Sequence, residues 1–343
     1  MFVPIDRPAE GLRPGASQIA AGDWEVLSHF WYPLAIAAEV GAAPVKARLL
    51  DVEIVLFRDE HGAIAAMRDK CPHRYVRLSS GEVVDGRIEC PFHGMRFDGT
   101  GQCRLVPALG RETRLPASYR VTAFPVRERY GLVWTCLGDP DRHALPSLPM
   151  FDDMAAQDIT FGPVDDWAIS APRQIENFID IAHLPYVHAA TLGGEKLRAL
   201  KPAQVEQHDD AVVLTAQYVE KGHDGGDEPA QYRYRVVLPF IVDFQVSYAN
   251  HPDRRLISAD IAAPISAYVS RVFQLHKVAG GPEAGKSLVA VLATVNAEDR
   301  KVLAELADPD LPLDMTREIH LPVDNVSHAY RQRLRALGLG AGD

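Results

Sequence analysis

The sequence lacks long apolar runs and has few cysteines. No stretch of about eighteen apolar residues occurs, so no membrane-spanning helix is predicted. Residues 1–21 lack the basic start and apolar run of a signal peptide, and there are only four cysteines, so we expect a cytoplasmic protein with unpaired thiols. Basic residues are also in the minority. The net charge of −10 argues against nucleic acid or an anionic membrane as a partner.

Two of the cysteines each stand close to a histidine. The motifs are Cys71-Pro-His73 and Cys90-Pro-Phe-His93, with sixteen residues between them. Cys-x-His followed by Cys-x-x-His is the ligand set of a Rieske [2Fe–2S] centre, in which two thiolates hold one iron and two imidazoles hold the other. The same four side chains also satisfy tetrahedral zinc. Because each arm supplies one residue of each type, the pattern favours a cluster with two unlike irons.

The pattern of apolar residues predicts an α+β protein with two domains. Short β-type runs separated by turns fill the stretch from Trp31 to Gly138, and a proline-bearing connector, Asp139–Met150, follows. We therefore predict a lead at 1–27, an all-β domain at 28–140 and a second domain at 141–343. The second domain is predicted to have helices at 174–181, 296–307 and 324–337, and strands at 211–218, 232–238, 240–248, 256–262, 269–278 and 288–294.

A second candidate metal site begins in the first predicted helix of that domain. Asn177, Asp180 and His183 are spaced three apart, which would place them on one side of an otherwise apolar helix. His188 follows after Pro185, which is expected to end or distort the helix so that the two imidazoles converge. Two histidines with one carboxylate form the facial triad of non-haem Fe(II) oxygenases. The alternative is that these histidines are ordinary core or surface residues.

Together these motifs identify a family resemblance. Across nearly its full length the chain resembles the terminal oxygenase component of the Rieske non-haem iron oxygenases. Its finer similarity is to the short oxygenases that demethylate or hydroxylate, such as the methylxanthine N-demethylases, the saxitoxin-pathway hydroxylases, and the dicamba and vanillate O-demethylases. It departs from many members at Tyr75, where they have Gly, and at Met95, where they have Trp. The resemblance rests on Cys71-Pro-His73-Arg74, Cys90-Pro-Phe-His93-Gly94, Asn177 to His188, and Ala297-Glu298-Asp299-Arg300-Lys301.

The resemblance implies a fold and a set of residue roles. The first domain would have the Rieske β fold, and the second a helix-grip fold with a curved antiparallel sheet. Asp299 would be the third ligand of a mononuclear Fe(II), with Glu298 as the alternative carboxylate. Asn177 would lie near that iron. Asp180 would join the iron site to His73 or His93 of a neighbouring chain in a homotrimer.

The resemblance also implies partners and a reaction. Electrons would come from NAD(P)H through a separate reductase or ferredoxin, and the short chain favours monooxygenation of an aromatic or heterocyclic substrate. Two alternatives are cis-dihydroxylation of an arene and a Rieske electron-transfer protein without oxygenase activity. The substrate pocket is predicted to include four apolar residues on alternate positions of one strand: Phe240, Phe244, Val246 and Tyr248.

The region around the predicted cluster is net positive, in contrast to the chain as a whole. From Arg68 to Arg111 there are eight basic residues and five acidic ones, within an acidic chain. Such a surface could be ordinary solvated exterior. The sharper hypothesis is that it docks an acidic electron donor.

Overall fold

The protein is described from a computed structural model. The structure describes residues 11–192, 199–221, 226–278 and 281–341. These residues form two compact units: the first holds those of Met1–Gln18 and Ser28–Leu145, and the second those of Ile19–Leu27 and Pro146–Asp343. Residues 1–10 of the predicted lead lie outside the described residues, and the predicted domain bounds stay predictions. No helix in the described part of the chain has the length and apolar character needed to cross a membrane.

The first unit is built from short antiparallel strands. They form three sheets with the orders β1-β11-β10, β2-β3-β4-β9 and β5-β6-β7-β8. The longest of them, β3, is buried along nearly its whole length, as its run of apolar residues requires. The strands are β1 Tyr32–Ile36, β2 Val45–Leu49, β3 Val52–Arg58, β4 Ile64–Arg68, β5 Glu82–Val84, β6 Arg87–Glu89, β7 Arg96–Phe97, β8 Cys103–Leu105, β9 Ala123–Phe124, β10 Val126–Arg129 and β11 Leu132–Thr135.

Within its described residues, the second unit contains one large antiparallel sheet and five α-helices. The strand order is β12-β19-β18-β17-β16-β15-β14, and β13 also pairs with β19. This arrangement confirms the predicted α+β class. The helices are α1 Ala21–Ser28, α2 Ala171–Ile179, α3 Leu184–Val187, α4 Gly281–Leu303 and α5 Asn325–Ala336. The strands are β12 Thr160–Phe161, β13 Asp165–Trp167, β14 Gln204–Gln207, β15 Ala211–Lys221, β16 Asp227–Val237, β17 Ile241–Tyr248, β18 Arg255–Ser266 and β19 Val269–Lys277.

Strand β16 alternates between a buried and an exposed face. In β16, Tyr232 and Tyr234 are buried whereas Gln231 and Arg233 are exposed. In an antiparallel sheet directly paired residues lie on the same face, so this alternation fixes the face of every neighbouring strand. The even positions of β15 to β19 therefore share the buried face that carries Tyr232 and Tyr234.

One predicted strand is wrong. The run at 288–294 lies inside helix α4, which begins seven residues before the run and continues beyond it. Along α4, Gly285, Asn296 and Asp299 are buried among more exposed positions, at intervals that a helix brings to one side. A short apolar run with valines cannot by itself distinguish a buried strand from one turn of a helix.

A buried ion network joins α2 to α5. Arg331 of α5, which is nearly fully buried, donates two hydrogen bonds to the carboxylate of Glu176 in α2, at 2.7 and 2.8 Å. Glu318 lies between two guanidinium groups, 2.6 Å from Arg331 and 2.6 Å from Arg173. These hydrogen bonds lower the pKa of Glu318 despite the opposing effect of its burial. The network fixes α2, from which the candidate iron site starts.

Candidate functional site

The two cysteine–histidine motifs form matching loops in the first unit. The N–H of Cys71 donates to the carbonyl of Val76 at 2.8 Å, and the Cys71 carbonyl accepts from the N–H of Tyr75 at 2.9 Å. The second loop repeats this pattern, because the N–H of Cys90 donates to the carbonyl of Met95 at 2.8 Å. Two equal loops therefore present the four predicted cluster residues from opposite sides.

Each loop turns through a residue in the left-handed region. Gly94 has a φ of +67° and Tyr75, at the matching position, has a φ of +64°. A Cβ at Gly94 would lie 2.9 Å from the Cγ of Pro107, so glycine is required there both by conformation and by space. Tyr75 accepts the less favourable conformation, and the Nζ of Lys70 lies 3.9 Å from the centre of its ring. This geometry explains why glycine is suited to the position where the chain has Tyr75.

The side chains of the two loops meet at one point. Cys71 and Cys90 are each only 1% exposed, while His73 and His93 lie at the surface with their Nδ1 atoms 3.2 Å apart. Burial raises the pKa of the Cys71 thiol to about 12, so a thiolate forms there only when a bound cation compensates it. Buried sulfurs and outward imidazoles fit a cluster of two unlike irons. The assignment of these four ligands stays a prediction.

The second candidate site starts where α2 ends, and here one prediction is wrong in its detail. The helix ends at Ile179, and Asp180 has extended backbone with a ψ of 124°. The Asp180 carboxylate accepts the N–H of Ala182 at 2.8 Å, a local turn that competes with continued helix. Asn177 and His183 therefore do not lie on one helix. The chain breaks before His183, not at Pro185, which lies in the first turn of α3.

The break brings two histidines and a carboxylate together. His183 and His188 flank α3, and Asp299 comes from α4. The two Nε2 atoms are 3.3 Å apart, and the Oδ1 of Asp299 lies 3.6 Å from that of His183 and 3.1 Å from that of His188. One ligand atom from each residue lies within 4.8 Å of the others. This donor set, two imidazoles and one carboxylate, is the one that non-haem Fe(II) oxygenases use, and these three residues would hold such an iron.

Each of these histidines is held from its other ring nitrogen. The Nδ1 of His183 lies 3.2 Å from Asp180, and the Nδ1 of His188 lies 2.9 Å from Glu298. The carboxylate of Glu298 also accepts the hydroxyl of Thr191 at 2.7 Å. A carboxylate on Nδ1 fixes the ring orientation and leaves Nε2 free to bind a metal. Glu298 was considered only as an alternative ligand, and its contact with His188 was not predicted.

The charge around His188 supports this arrangement. Burial acts to lower the pKa of His188, which is 1% exposed, but hydrogen bonds to Asp299 and Glu298 outweigh burial and raise it. Two carboxylates thus concentrate negative charge beside a buried imidazole. A divalent cation placed between the Nε2 atoms and Asp299 would be attracted to this charge. Asn177, in α2, leaves its buried Nδ2 without a hydrogen-bond partner.

The predicted pocket residues do not all lie in the same element. Phe244, Val246 and Tyr248 lie on the buried face of β17, and the ring of Phe244 stacks on Tyr234 with centroids 5.2 Å apart. Phe240 is also buried, but it precedes the strand. Their role in binding a substrate stays a prediction.

Sequence reasoning missed a group of polar residues on the same face. Asp260 pairs in register with Gln274, and Ser258 pairs with His276. Gln274 also exchanges two hydrogen bonds with Asn296 of α4, at 2.8 and 3.3 Å. The only available signal was the pair of polar residues, two positions apart, in each apolar run. Strand register, which sequence alone did not supply, brings them together.

Two of these residues have strongly shifted pKa values. Burial raises the pKa of Asp260 to about 7; the hydrogen bond with Gln274 opposes this shift and the charge of Asp299 adds to it. Burial lowers the pKa of His276 to about 4, so its imidazole is neutral. Since the charge of Asp299 acts on Asp260, the polar group lies close to the candidate iron ligands.

Two family models match the chain. The Rieske [2Fe-2S] domain matches residues 30–125, and the vanillate O-demethylase oxygenase C-terminal domain matches residues 167–339. The first match contains both cysteine–histidine motifs. The second contains the residues of the candidate iron site.

Two known relatives match over most of the chain, and a third matches over about half of it. Methylxanthine N1-demethylase NdmA of Pseudomonas putida is 28% identical over 323 residues, covering 91% of this chain and 90% of the relative. Methylxanthine N3-demethylase NdmB of the same organism is 28% identical over 333 residues, covering 93% and 92%. The oxygenase component of dicamba O-demethylase from Stenotrophomonas maltophilia is 39% identical over 164 residues, 47% of each chain. The solved structure of NdmA with caffeine has a TM-score of 0.78 at 26% identity and covers 91% of both chains.

Proposed function

The chain belongs to the Rieske oxygenases whose catalytic domain is of the vanillate O-demethylase type, and from that membership we propose that it monooxygenates an aromatic or heterocyclic small molecule by hydroxylation or by oxidative N- or O-demethylation. Members of this family are O₂-dependent oxidoreductases with a Rieske [2Fe-2S] cluster and a mononuclear iron. Membership in this family argues against two alternatives: a zinc site at the cysteine–histidine motifs, and a Rieske protein that only transfers electrons.

One observation carries the proposal. The Nε2 atoms of His183 and His188 converge with the Oδ1 of Asp299, and each histidine is held by a carboxylate at its Nδ1. When bound, the two iron centres supply one-electron transfer and O₂ activation, which no amino-acid side chain provides. The three side chains hold the mononuclear site, while Asp180 and Glu298 fix the orientation of the two rings.

Electron entry is proposed at the surface formed by the cluster loops. His73 and His93 border an open groove of about 790 Å³ that is also lined by Arg68, Lys70 and Arg74. Exposed imidazoles beside basic side chains suit an acidic ferredoxin or a reductase that draws electrons from NAD(P)H. We propose that the donor docks against these basic side chains and reaches one of the two histidines, while the other is left for the neighbouring chain.

The path from cluster to iron is proposed to pass between chains. The Asp180 side chain is 39% exposed although its Oδ2 contacts the ring of His183, so a second partner can still reach it. His73 and His93 are equally accessible at the surface. In a head-to-tail homotrimer, Asp180 of one chain would accept a hydrogen bond from a cluster histidine of the next.

Demethylation is the preferred form of the reaction. The relatives that match most of the chain are named as N-demethylases, and another is named as an O-demethylase component. For an N- or O-methyl group, one oxygen atom of O₂ enters the methyl group, and the hydroxymethyl product breaks down to formaldehyde. The other oxygen leaves as water, using two electrons and two protons from the donor.

A single-turnover experiment tests this proposal. The protein, loaded with both iron centres and chemically reduced, is mixed with O₂ and a panel of caffeine, theobromine, 4-methoxybenzamide and 4-methoxybenzoate. We expect formaldehyde in an amount related to the cluster oxidised. A cis-diol would support the dihydroxylating alternative. Cluster oxidation that no member of the panel accelerates, with no oxygenated product, would contradict the proposed function.

A further inference from the structure

Several polar atoms on the buried face of the large sheet lack partners, including atoms of Glu228 and Ser270, and two of them belong to diagonal neighbours across β18 and β19. Asp260 is 4% exposed and its Oδ1 has no hydrogen-bond partner, while His276 is 1% exposed and its Nε2 has none. The other ring nitrogen of His276 lies 2.7 Å from the hydroxyl of Ser258. A buried polar atom without a partner is costly, and native proteins rarely leave one without a reason. Because Asp260 and His276 are diagonal neighbours, their two unpaired atoms indicate a surface built to receive a polar ligand.

These atoms lie beside the candidate iron site. Asp260 contacts Gln274, which is joined by two hydrogen bonds to Asn296. Asn296 is three residues before Asp299 on α4, so the two side chains lie on one side of the helix, about 5–6 Å apart at their Cβ atoms. A molecule that pairs with Asp260 is therefore within reach of the metal ligands.

A glycine packs closely against Gln274 and His276. A Cβ on Gly162 would lie 2.9 Å from the Oε1 of Gln274 and 3.2 Å from the Nε2 of His276. Any larger residue would press on both side chains. On the other side of Ser258, the stacked rings of Tyr234 and Phe244 complete the face with a flat apolar surface. A flat apolar surface next to two unpaired polar atoms fits a ligand with a planar ring and a polar edge.

The charge of this face excludes one class of ligand. Among the described positions of β15 to β19 that lie on it, none is lysine or arginine. Arg254, which precedes β18, stacks on Tyr248, six residues along β17 from the residue that pairs with Asp260. An anion bound beside Asp260 would face the like charge of its carboxylate, and no lysine or arginine at these positions would compensate it. The arginines of these strands lie on the opposite face: Arg233, Arg235, Arg255 and Arg271.

We infer that Asp260 and His276 determine specificity, and that they pair with the polar edge of an uncharged, planar substrate bearing an N–H donor. This inference rests on the proposed function, and it names the substrate class that function would use. Aromatic carboxylates and sulfonates are excluded as preferred substrates. An uncharged amide or lactam edge satisfies both unpaired atoms.

A matched pair of ligands tests the inference. 4-Methoxybenzamide and 4-methoxybenzoate have nearly the same shape and the same methoxy group, but only the benzoate is charged. Binding to the iron-loaded protein is measured by calorimetry without O₂. We expect the amide to bind at least about tenfold more tightly than the carboxylate. The amide N–H can pair with the Asp260 carboxylate, whereas the negative charge of the benzoate would face that carboxylate. The unmodified protein alone decides this point, so it does not depend on any variant folding.

Two variants then assign the preference to Asp260. Asp260→Asn removes the carboxylate and should reduce the preference for the amide several-fold. Asp243→Asn is the control, because Asp243 is also buried in an adjacent strand but lies on the opposite face beside Arg235. This control should leave the preference unchanged. Equal effects of the two variants would contradict the assignment.

Several results would overturn the inference without touching the proposed function. Tighter binding of 4-methoxybenzoate would do so, and so would failure of every neutral compound of the panel to bind. In contrast, tight binding of the amide without any O₂-dependent product would support the inference and count against the oxygenase proposal. Formaldehyde from the benzoate alone would support the oxygenase and refute the specificity.

Discussion

Replacing Glu298 and Asp299 in turn distinguishes a residue that orients the ligand His188 from a residue that binds the metal. Glu298 accepts from the Nδ1 of His188 at 2.9 Å and does not lie near the Nε2 atoms, whereas the Oδ1 of Asp299 does. Glu298→Ala therefore should keep the metal site but leave a buried N–H unpaired. We expect Glu298→Ala to weaken Fe(II) binding and Asp299→Ala to abolish it.

The size of the Glu298 effect follows from the burial of His188. An unpaired buried donor costs about 1–3 kcal/mol, and about 1.4 kcal/mol corresponds to a factor of ten in an equilibrium constant. Since His188 is 1% exposed, its Nδ1–H depends on the Glu298 carboxylate for a hydrogen bond. Metal affinity should fall by about 10- to 100-fold, as is typical when a carboxylate behind a ligand histidine is removed. Glu298→Gln keeps an acceptor oxygen and should lose less.

The assay is anaerobic titration of the apo mononuclear site with Fe(II) against a competing chelator, with the cluster absorbance as a check on folding. Glu305→Ala is the matched control, because Glu305 is an exposed glutamate just after α4. It should bind iron as the unmodified protein does. Loss of all iron from Glu298→Ala together with normal binding by Asp299→Ala would show that the carboxylates had been assigned in the wrong order.

Four further predictions concern the two sites and their surroundings. Asp180→Asn should keep both iron centres but nearly stop oxidation of the cluster by the iron site in a single turnover; a rate close to normal would rule out a bridge through this residue. Reduction by the donor should slow as salt shortens the Debye length from about 10 Å at 0.1 M to about 3 Å at 1 M, and Arg74→Glu should slow it further; a rate indifferent to both would refute electrostatic docking. The pKa of Glu318 is lowered on folding, so its stabilising contribution is present above its unfolded pKa of about 4.3 and is lost as the pH falls through its lower folded value. Glu318→Gln should therefore flatten the acid side of a plot of melting temperature against pH, and an unchanged profile would contradict this. Gly94→Ala should destabilise the first unit by about 1–2 kcal/mol because of its positive φ, whereas Tyr75→Ala at the matching position adds no such backbone penalty; equal losses in chemical denaturation would refute the difference.

The parts of the site that are close in sequence were predictable. Cys71 and His73 lie two residues apart, and Cys90 and His93 three apart, so a single loop decides the position of each pair. The hydrogen bonds that close each loop span only four or five residues. Local spacing therefore carried most of the information needed to identify a cluster.

The helix at the iron site was not predictable from spacing alone. A period of three suggested one helix through Asn177, Asp180 and His183, but Asp180 leaves the helix and accepts the N–H of Ala182. Aspartate competes with helical hydrogen bonding in this way, and that competition was the available signal. The convergence of the histidines was expected, although the break that produces it lies earlier than Pro185.

The polar face of the sheet could not be predicted because it depends on pairing between strands. Asp260 and Gln274 are fourteen residues apart in sequence and become neighbours only through the register of β18 and β19. A shift of one residue would send either of them to the opposite face. The wrongly predicted strand at 288–294 would also have removed the helix that carries Asn296.

The position of α4 has a consequence for both carboxylates of the iron site. Consecutive residues of a helix point about 100° apart, so Glu298 and Asp299 cannot both face the same atom. They reach the two nitrogens of one ring instead, Glu298 at Nδ1 and Asp299 at Nε2 of His188. A rotation of α4 that moves Asp299 away from the metal site would therefore also move Glu298 away from the His188 ring that it orients. From the sequence, Glu298 and Asp299 were both candidates for the third ligand. Because both lie in α4, this one helix sets the orientation of His188 and the position of the third ligand.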